Sequence, residues 1–151
     1  MSTPVYAERL TVPLRWWAQG TMFVATLWLA FIVSMPGFWA WTVTAVILVL
    51  MSAAFVAYGS ARVEIVDGRF RAGRAEIDHA YLGRADALDE EATRLTAGRD
   101  ANARAYLLLR PYLHRAVRVE IADPADPTPY WLVNTRHPET LATALAELDR
   151  S

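Results

Sequence analysis

Two long apolar runs follow each other almost without a break, and they limit the possible folds of this chain more than any other feature. They extend over residues 16–34 and 38–58, and no side chain from Trp16 to Ala61 is charged. A helix needs roughly 20 residues to cross the hydrocarbon core of a bilayer, and it pairs its own backbone groups there. Pro36-Gly37 lies between the runs and is typical of a chain reversal. The sequence therefore predicts a transmembrane helical hairpin with helices of about 16–34 and 38–58.

The predicted hairpin divides the chain of 151 residues into three parts. Residues 1–15 form an N-terminal juxtamembrane segment, which is either an ordered lead-in on the membrane face or a frayed tail. Residues 62–151 are long enough for one small domain. The chain has no Cys, which excludes disulfides, thiol catalysis and thiolate metal sites. Its net charge of −1 argues against nucleic acid as a partner.

Arginines indicate the side of the membrane on which the hairpin begins and ends. All basic residues are Arg, and the turn between the two apolar runs carries none. Cytoplasmic segments that flank membrane helices are enriched in Arg and Lys. We therefore expect a plasma membrane protein with two spans and both termini in the cytoplasm. The flanking arginines are Arg9 and Arg15 before the hairpin, and Arg62, Arg69, Arg71 and Arg74 after it.

After the hairpin the spacing of apolar residues changes from helical to alternating. Alternation begins at Arg62, and Asp67-Gly68 predicts a β-hairpin turn. Further strands are expected at residues 81–88, 105–109, 116–121 and 130–135, with a loop or short helix between Asp89 and Gly98. Apolar residues at helical spacing predict a C-terminal helix over residues 138–149. The predicted fold class is an α+β membrane protein, in which a small antiparallel β-roll or barrel follows the hairpin and is capped by this helix.

Two resemblances extend this interpretation. The order of strands and helix from Val117 to Leu148 resembles bacterial pleckstrin-homology-like domains, which often follow a pair of membrane helices. The second rests on four motifs: Tyr6-x-Glu8-Arg9-Leu10-x-Val12-Pro13, Arg104-Ala105-Tyr106-x-x-x-Arg110-Pro111, Asp123-Pro124-x-Asp126-Pro127-Thr128-Pro129-Tyr130-Trp131 and Thr135-Arg136-x-Pro138. Through these motifs nearly the whole chain resembles an actinobacterial integral membrane family catalogued as domain of unknown function 3093. This resemblance implies no activity.

One group of basic and aromatic residues is the best candidate for an interaction or lipid-contact surface. Guanidinium groups bind lipid phosphates, but they can equally pair with acidic residues inside the domain. The candidates are Arg110, Tyr112, Arg115, Arg118, Trp131 and Arg136. Further motif residues without an assigned role are Glu8, Arg9, Pro13, Asp123, Asp126, Pro127, Pro129 and Tyr130.

The sequence offers no clear constellation for catalysis, a metal or a cofactor. Asp123 and Asp126 could bind a divalent cation, but Ca²⁺ takes six to eight oxygen ligands, and these carboxylates are better explained as caps of a proline-stiffened turn. His79, His114 and His137 do not have the spacing of a zinc site. We therefore expect no catalytic residues, no metal and no cofactor.

Three functions remain open at this point. The first is a non-enzymatic, membrane-anchored interaction or assembly module whose partner is another membrane protein or a second copy of the chain. The second is recognition of phospholipid head groups by the candidate arginines. The third is a membrane-associated enzyme, which would require Arg110, His114, Asp123 and Asp126 to share one cleft.

Overall fold

The structure, a computed structural model, describes residues 4–150 and consists of two compact units. The hairpin unit is the apolar segment Thr11–Ser60. The β-rich unit combines the residues up to Leu10 with the chain from Ala61 onward. The hairpin unit is therefore an insertion in the sequence of the β-rich unit.

The hairpin unit consists of two helices, α1 (Leu14–Ser34) and α2 (Gly37–Tyr58). Both are long and apolar enough to cross a membrane. Helix α1 begins two residues before the expected start at residue 16, directly after Pro13. Met35-Pro36 separates the helices, as the sequence predicted, because proline cannot continue a helix from its interior.

Aromatic rings hold α1 and α2 together. The ring centroids of Trp17 and Phe55 are 5.1 Å apart, as are those of Trp28 and Trp41. Gly20 lies where the helices approach closely, since a Cβ atom there would be 2.7 Å from the sulfur of Met51. Trp28, in contact with Trp41, therefore packs between the two helices.

The first sheet of the β-rich unit is an antiparallel meander in the order β1-β2-β3-β4. Asp67 and Gly68 connect β2 to β3 with φ angles of 50° and 73°, as a two-residue turn of type I′ requires. The predicted turn at this position is confirmed. The strands are β1 (Tyr6–Arg9), β2 (Arg62–Val66), β3 (Arg69–Ala72) and β4 (Ala75–Asp78).

Strand β1 corrects the expected organisation of the N-terminal residues. Tyr6–Arg9 is neither a frayed tail nor a separate juxtamembrane segment, because it pairs with β2 along its whole length. The pairing continues past the strand, where the Leu10 amide donates to the Ala61 carbonyl at 3.0 Å. The hairpin unit is thus inserted between two neighbouring, hydrogen-bonded strands.

The second sheet has the order β5-β7-β8-β6, and β6 and β8 run parallel. The expectation of an entirely antiparallel roll is wrong at this pair. Strands β6 and β7 are consecutive and run in opposite directions, so β8, which is antiparallel to β7, is parallel to β6. Asp89 caps α3 by accepting from the Ala92 amide, and Gly98 ends it, as predicted. The elements are β5 (Leu82–Leu88), α3 (Glu90–Ala97), β6 (Tyr106–Leu108), β7 (Ala116–Ile121), β8 (Tyr130–Asn134) and α4 (Pro138–Leu148).

One hydrophobic core joins both sheets to α4. Phe70 of β3 and Trp131 of β8 meet across the sheets, with ring centroids 5.8 Å apart. Leu141 and Leu145 of α4 are buried against the same cluster. The C-terminal helix therefore covers the core as expected, although it ends at Leu148 rather than at residue 149.

Candidate functional site

The chain turn that contains Arg110 and Tyr112 is held to the rest of the β-rich unit. The Arg110 amide donates to Asn134 Oδ1 at 2.8 Å, and its guanidinium donates to the Leu109 carbonyl at 3.1 Å. The Tyr112 hydroxyl donates to the Leu10 carbonyl at 2.7 Å. The contact with Tyr112 fixes the position of Leu10, the last residue before the hairpin unit.

Two other candidate arginines are also engaged within the domain. Arg115 forms an ion pair with Glu139 in the first turn of α4, and this pair contributes to lowering the pKa of the Glu139 carboxyl, second to a hydrogen bond with the backbone. The guanidinium carbon of Arg118 lies 4.6 Å from the centre of the Tyr130 ring, a cation–π contact. Both observations agree with structural pairing, the alternative that the sequence had left open.

Trp131 belongs to the core and not to an interaction surface. Its side chain packs between Phe70 and Tyr106, and the residue is 5% exposed. Placing it in the candidate surface is therefore wrong. The physical reason is strand alternation: Trp131 lies opposite Val119 and shares its inward face, whereas Arg118 lies opposite Leu132 and faces the other way.

Glu8 is the centre of a polar cluster that the sequence reasoning missed. Its side chain is only 9% exposed, and it accepts from the Tyr6 hydroxyl at 2.7 Å and from the Arg136 amide at 3.0 Å. The Thr135 hydroxyl also donates to Glu8, and the Arg136 guanidinium donates to the Arg9 carbonyl at 3.1 Å. We call Tyr6, Glu8, Thr135 and Arg136 the N–C clasp, because they join the strand before the hairpin to the start of α4.

The N–C clasp gives a structural role to two of the motifs that carried the family resemblance. Tyr6-x-Glu8-Arg9 and Thr135-Arg136 are far apart in sequence but form one hydrogen-bonded group. Burial raises the pKa of the Tyr6 phenol above its ordinary value, and the phenol donates a hydrogen bond to Glu8. The sequence signal that could have indicated this contact was the presence of both motifs in one family pattern. Pro13 lies outside the clasp and is the residue that precedes α1.

The proline-rich loop between β7 and β8 uses its carboxylates to stabilise its own backbone. Asp123 accepts from the Ala125 amide and Asp126 from the Thr128 amide, both at 2.8 Å. Hydrogen bonding with Thr128, first through its side chain and then its backbone, lowers the pKa of the Asp126 carboxyl. Pro127 and Pro129 stiffen the loop. The interpretation of the two Asp residues as turn caps is confirmed.

The four residues of the enzyme hypothesis lie at opposite ends of β7. Arg110 and His114 precede this strand, whereas Asp123 and Asp126 follow it. A six-residue strand is about 20 Å long. The part of the chain that the structure describes contains no group of three or more potential metal ligands.

The outer face of the first sheet carries an ionic network. Arg71 contacts Glu64 at 3.0 Å and Glu76 at 2.7 Å, and Arg69 contacts Glu76 at 2.9 Å. Hydrogen bonds from Arg71, and then Arg69, lower the pKa of Glu76. These side chains line an open depression of about 400 Å³. The lining carries three carboxylates, with Asp67 in addition to Glu64 and Glu76, against two arginines, so the ion pairs cancel most of its charge and leave a net charge of about −1.

Comparison with known proteins gives one match. The profile of a family described as "Protein of unknown function (DUF3093)" matches residues 5–145. No curated protein and no solved structure matches the chain significantly.

Proposed function

Since the chain belongs to the DUF3093 family of proteins of unknown function, we propose its function from its own geometry. The protein is a two-span integral membrane protein that holds its β-rich unit at the cytoplasmic face of the plasma membrane. The β-rich unit is a non-enzymatic module for interaction or assembly with another membrane protein or with a second copy of the chain.

The observation that carries the membrane topology is the insertion of the hairpin unit between β1 and β2. Leu10 and Ala61, which flank the inserted segment, are joined by a hydrogen bond of 3.0 Å. A segment whose ends are fixed as neighbours must return to the side from which it left. If its helices cross the membrane, they therefore cross as a pair, and the two parts of the β-rich unit lie on one side.

The surfaces of α1 and α2 support their insertion in lipid. In α1 the one buried residue is Val24 and in α2 it is Ala40, so the other residues of both helices are at least partly exposed. Four hydroxyls in these helices are satisfied internally, as hydrocarbon requires, whereas the Thr44 hydroxyl is buried without a hydrogen-bond partner. Each of the following donates to the carbonyl four residues earlier: Thr21, Thr26, Ser34 and Thr42.

The distribution of arginines supports the cytoplasmic orientation. Arg9 and Arg15 precede the helices, Arg62 follows them, and the connection Met35-Pro36-Gly37 carries no charge. An interaction role is favoured over head-group recognition by the predicted set, because Arg115, Arg118 and Arg136 are engaged by Glu139, Tyr130 and Glu8. It is favoured over catalysis because the candidate carboxylates Asp123 and Asp126 serve as turn caps.

Single cysteines test the topology directly, since the chain contains none of its own. Gly37→Cys lies at the first residue of α2, next to the turn from α1, where an added Cβ atom meets no atom within 4 Å, and Thr140→Cys is exposed on α4. A membrane-impermeant maleimide should label Gly37→Cys in intact cells and Thr140→Cys only after lysis. Labelling of Thr140→Cys in intact cells would refute the proposed orientation, and the parent chain is the unlabelled control.

Cross-linking in native membranes, followed by mass spectrometry, tests the interaction role. We expect one dominant cross-linked protein, either a membrane protein or a second copy of this chain. A preparation that contains only the monomer after cross-linking would contradict the assembly role while leaving the topology intact.

A further inference from the structure

Three arginines of the β-rich unit lie at one end of the first sheet. This is the end at which β1 leads into the hairpin segment and β2 follows it in the sequence. Arg9 ends β1, Arg62 begins β2, and Arg74 lies in the turn between β3 and β4 at the same end. All three are exposed. Within residues 4–150, no carboxylate forms an ion pair with any of them. We call these residues the Arg9–Arg62–Arg74 cluster.

The pairing of β1 with β2 places two of these positive charges side by side. Arg9 and Arg62 are directly opposite each other in the register. Directly opposite residues of an antiparallel pair point to the same face, with Cβ atoms about 5 Å apart, and like charges at such positions are destabilising. An anion against this end of the sheet would relieve the repulsion.

The arginines further along the same face are arranged differently. Arg69 and Arg71 have carboxylate partners at 2.9 Å and 2.7 Å, both on Glu76. Arg71 also contacts Glu64. Positive charge without a carboxylate partner on this face is thus confined to the end that is nearest the hairpin in the chain. A general excess of arginine would not produce this uneven distribution.

The chain connections set an upper limit on the distance from these arginines to the helix ends. Arg62 is four residues beyond Tyr58, the last residue of α2, and Arg9 is five residues before Leu14, the first residue of α1. An extended chain spans at most about 3.6 Å per residue, so neither arginine can be more than roughly 20 Å from its helix end. When the hairpin spans a bilayer, the guanidinium groups therefore lie within reach of the lipid head groups.

We propose that the Arg9–Arg62–Arg74 cluster binds the phosphate of an anionic phospholipid of the cytoplasmic leaflet. This inference rests on the proposed membrane topology. Guanidinium groups bind phosphate with two parallel hydrogen bonds, and an exposed pair on one face can enclose a single phosphate from two sides. The binding groups differ from the arginines predicted from sequence. Of the latter, Arg115, Arg118 and Arg136 are held by partners within the domain.

Lipid titration of the full-length protein tests the cluster. Delipidated protein in mild detergent is titrated with phosphatidylglycerol or phosphatidylcholine, and bound lipid is measured by native mass spectrometry. Each arginine near an anionic head group contributes roughly a fivefold change in affinity, so Arg9→Gln, Arg62→Gln and Arg74→Gln together should weaken phosphatidylglycerol binding on the order of 100-fold. Phosphatidylcholine binding should not change.

Two matched variants make the result specific. Replacing Arg84, Arg94 and Arg99 with Gln removes the same charge from exposed sites elsewhere and should leave phosphatidylglycerol binding within twofold to threefold. Replacing the cluster with Lys keeps the charge and should restore most of the binding if the Gln variant is impaired. Equal loss in the Gln variant and its matched control, or no loss in the Gln variant, would overturn the proposal.

The remaining outcomes distinguish binding of a phospholipid from binding of free phosphate. They also distinguish a failure of this inference from a failure of the proposed topology. If inorganic phosphate at millimolar concentration displaces the lipid completely, the cluster binds phosphate as such and not a phospholipid, which also overturns the proposal. If the cysteine labelling gives the expected topology but the lipid titration fails, only this inference is wrong. If the labelling fails, the proposed function is wrong as well.

Discussion

Replacing Glu8 with Ala removes the acceptor that holds the N–C clasp together. The Glu8 carboxylate accepts from the Tyr6 hydroxyl, the Thr135 hydroxyl and the Arg136 amide. Thr135 is 1% exposed, so water cannot easily replace the lost acceptor. We expect the variant to lose the attachment of β1 to the start of α4.

The expected loss follows from the contacts of the clasp. A hydrogen bond to a charged group contributes about 1.5–3 kcal/mol. The ion pair of Glu8 with Arg136 adds less, because the Arg136 side chain is 37% exposed and water screens it. The Thr135 hydroxyl keeps a contact of 3.0 Å with the Tyr6 hydroxyl, which offsets part of the loss. We therefore expect Glu8→Ala to lower the free energy of unfolding of the β-rich unit by about 3 kcal/mol.

Thiol labelling of a buried cysteine measures this change in the full chain. Ala144→Cys on α4 is a suitable background, since Ala144 is 9% exposed and packs in the main core. A loss of about 3 kcal/mol corresponds to roughly 100-fold faster labelling, because each 1.4 kcal/mol is about tenfold. Glu8→Gln should be intermediate, since its amide carbonyl can still accept from the Arg136 amide.

The control is Glu120→Ala, which removes an exposed carboxylate from β7. Exposed substitutions usually change stability by less than about 0.5 kcal/mol, so labelling should stay within about threefold of the Ala144→Cys parent. A Glu8→Ala variant that also stays within threefold would refute the reasoning, because the clasp would then contribute no net stability.

Two further predictions concern the backbone and the response to pH. Gly73 has a φ of +64°, and a Cβ there would be 3.2 Å from Leu108 Cδ1, so Gly73→Ala should lower the free energy of unfolding by about 1–2 kcal/mol, whereas Gly37→Ala, in open space, should not. Calorimetry of both variants would show this, and equal melting temperatures would contradict it. The lowered pKa of Asp126 means that its contribution is complete above the ordinary pKa of Asp, near pH 4, and is lost as the pH falls through its folded value. Asp126→Asn should therefore reduce stability at pH 7, and this difference should shrink as the pH falls below about 4 and Asp126 is protonated, whereas an effect of constant size over this range would exclude the carboxylate as its cause.

The parts of the fold that sequence predicts well are those determined by local patterns. The lengths of the two apolar runs and Pro36 between them predicted α1 and α2. Alternation around Asp67-Gly68 predicted the β2–β3 hairpin. Each of these signals lies within about 20 residues, and no distant partner is needed to interpret it.

Strand β1 and the N–C clasp depend on partners that are distant in sequence. Tyr6–Arg9 alternates over only four residues, and its partner β2 follows the entire hairpin unit. Nothing within such a short segment specifies that partner. For the same reason Glu8 was recognised as a motif residue without a role, since Thr135 and Arg136 lie more than 120 residues away.

The prediction of the candidate surface was wrong for Trp131 for a different reason. It grouped residues by their closeness in sequence and did not consider which face of a strand each one occupies. Val117 and Val119 alternate along β7 and are both buried, which places Arg118 on the other face. The pairing of β7 with β8 then places Trp131 with Val119 in the core. Knowing the register would have separated Arg118 from Trp131, but the register is set by the tertiary fold.

The insertion of the hairpin unit between β1 and β2 has a consequence for how the protein folds during synthesis. Pairing Arg9 with Arg62 closes a loop of roughly 50 residues, and for a flexible chain the length-dependent part of the closure entropy is on the order of 3 kcal/mol. Insertion of both helices would bring the loop ends to the same membrane surface before the sheet forms, so most of that entropy would already be lost. Strand β2 would then be synthesised next to β1, which would already lie at the same membrane surface. A chain whose hairpin stays outside the membrane would have to close the loop unaided, and completion of its first sheet would be slower.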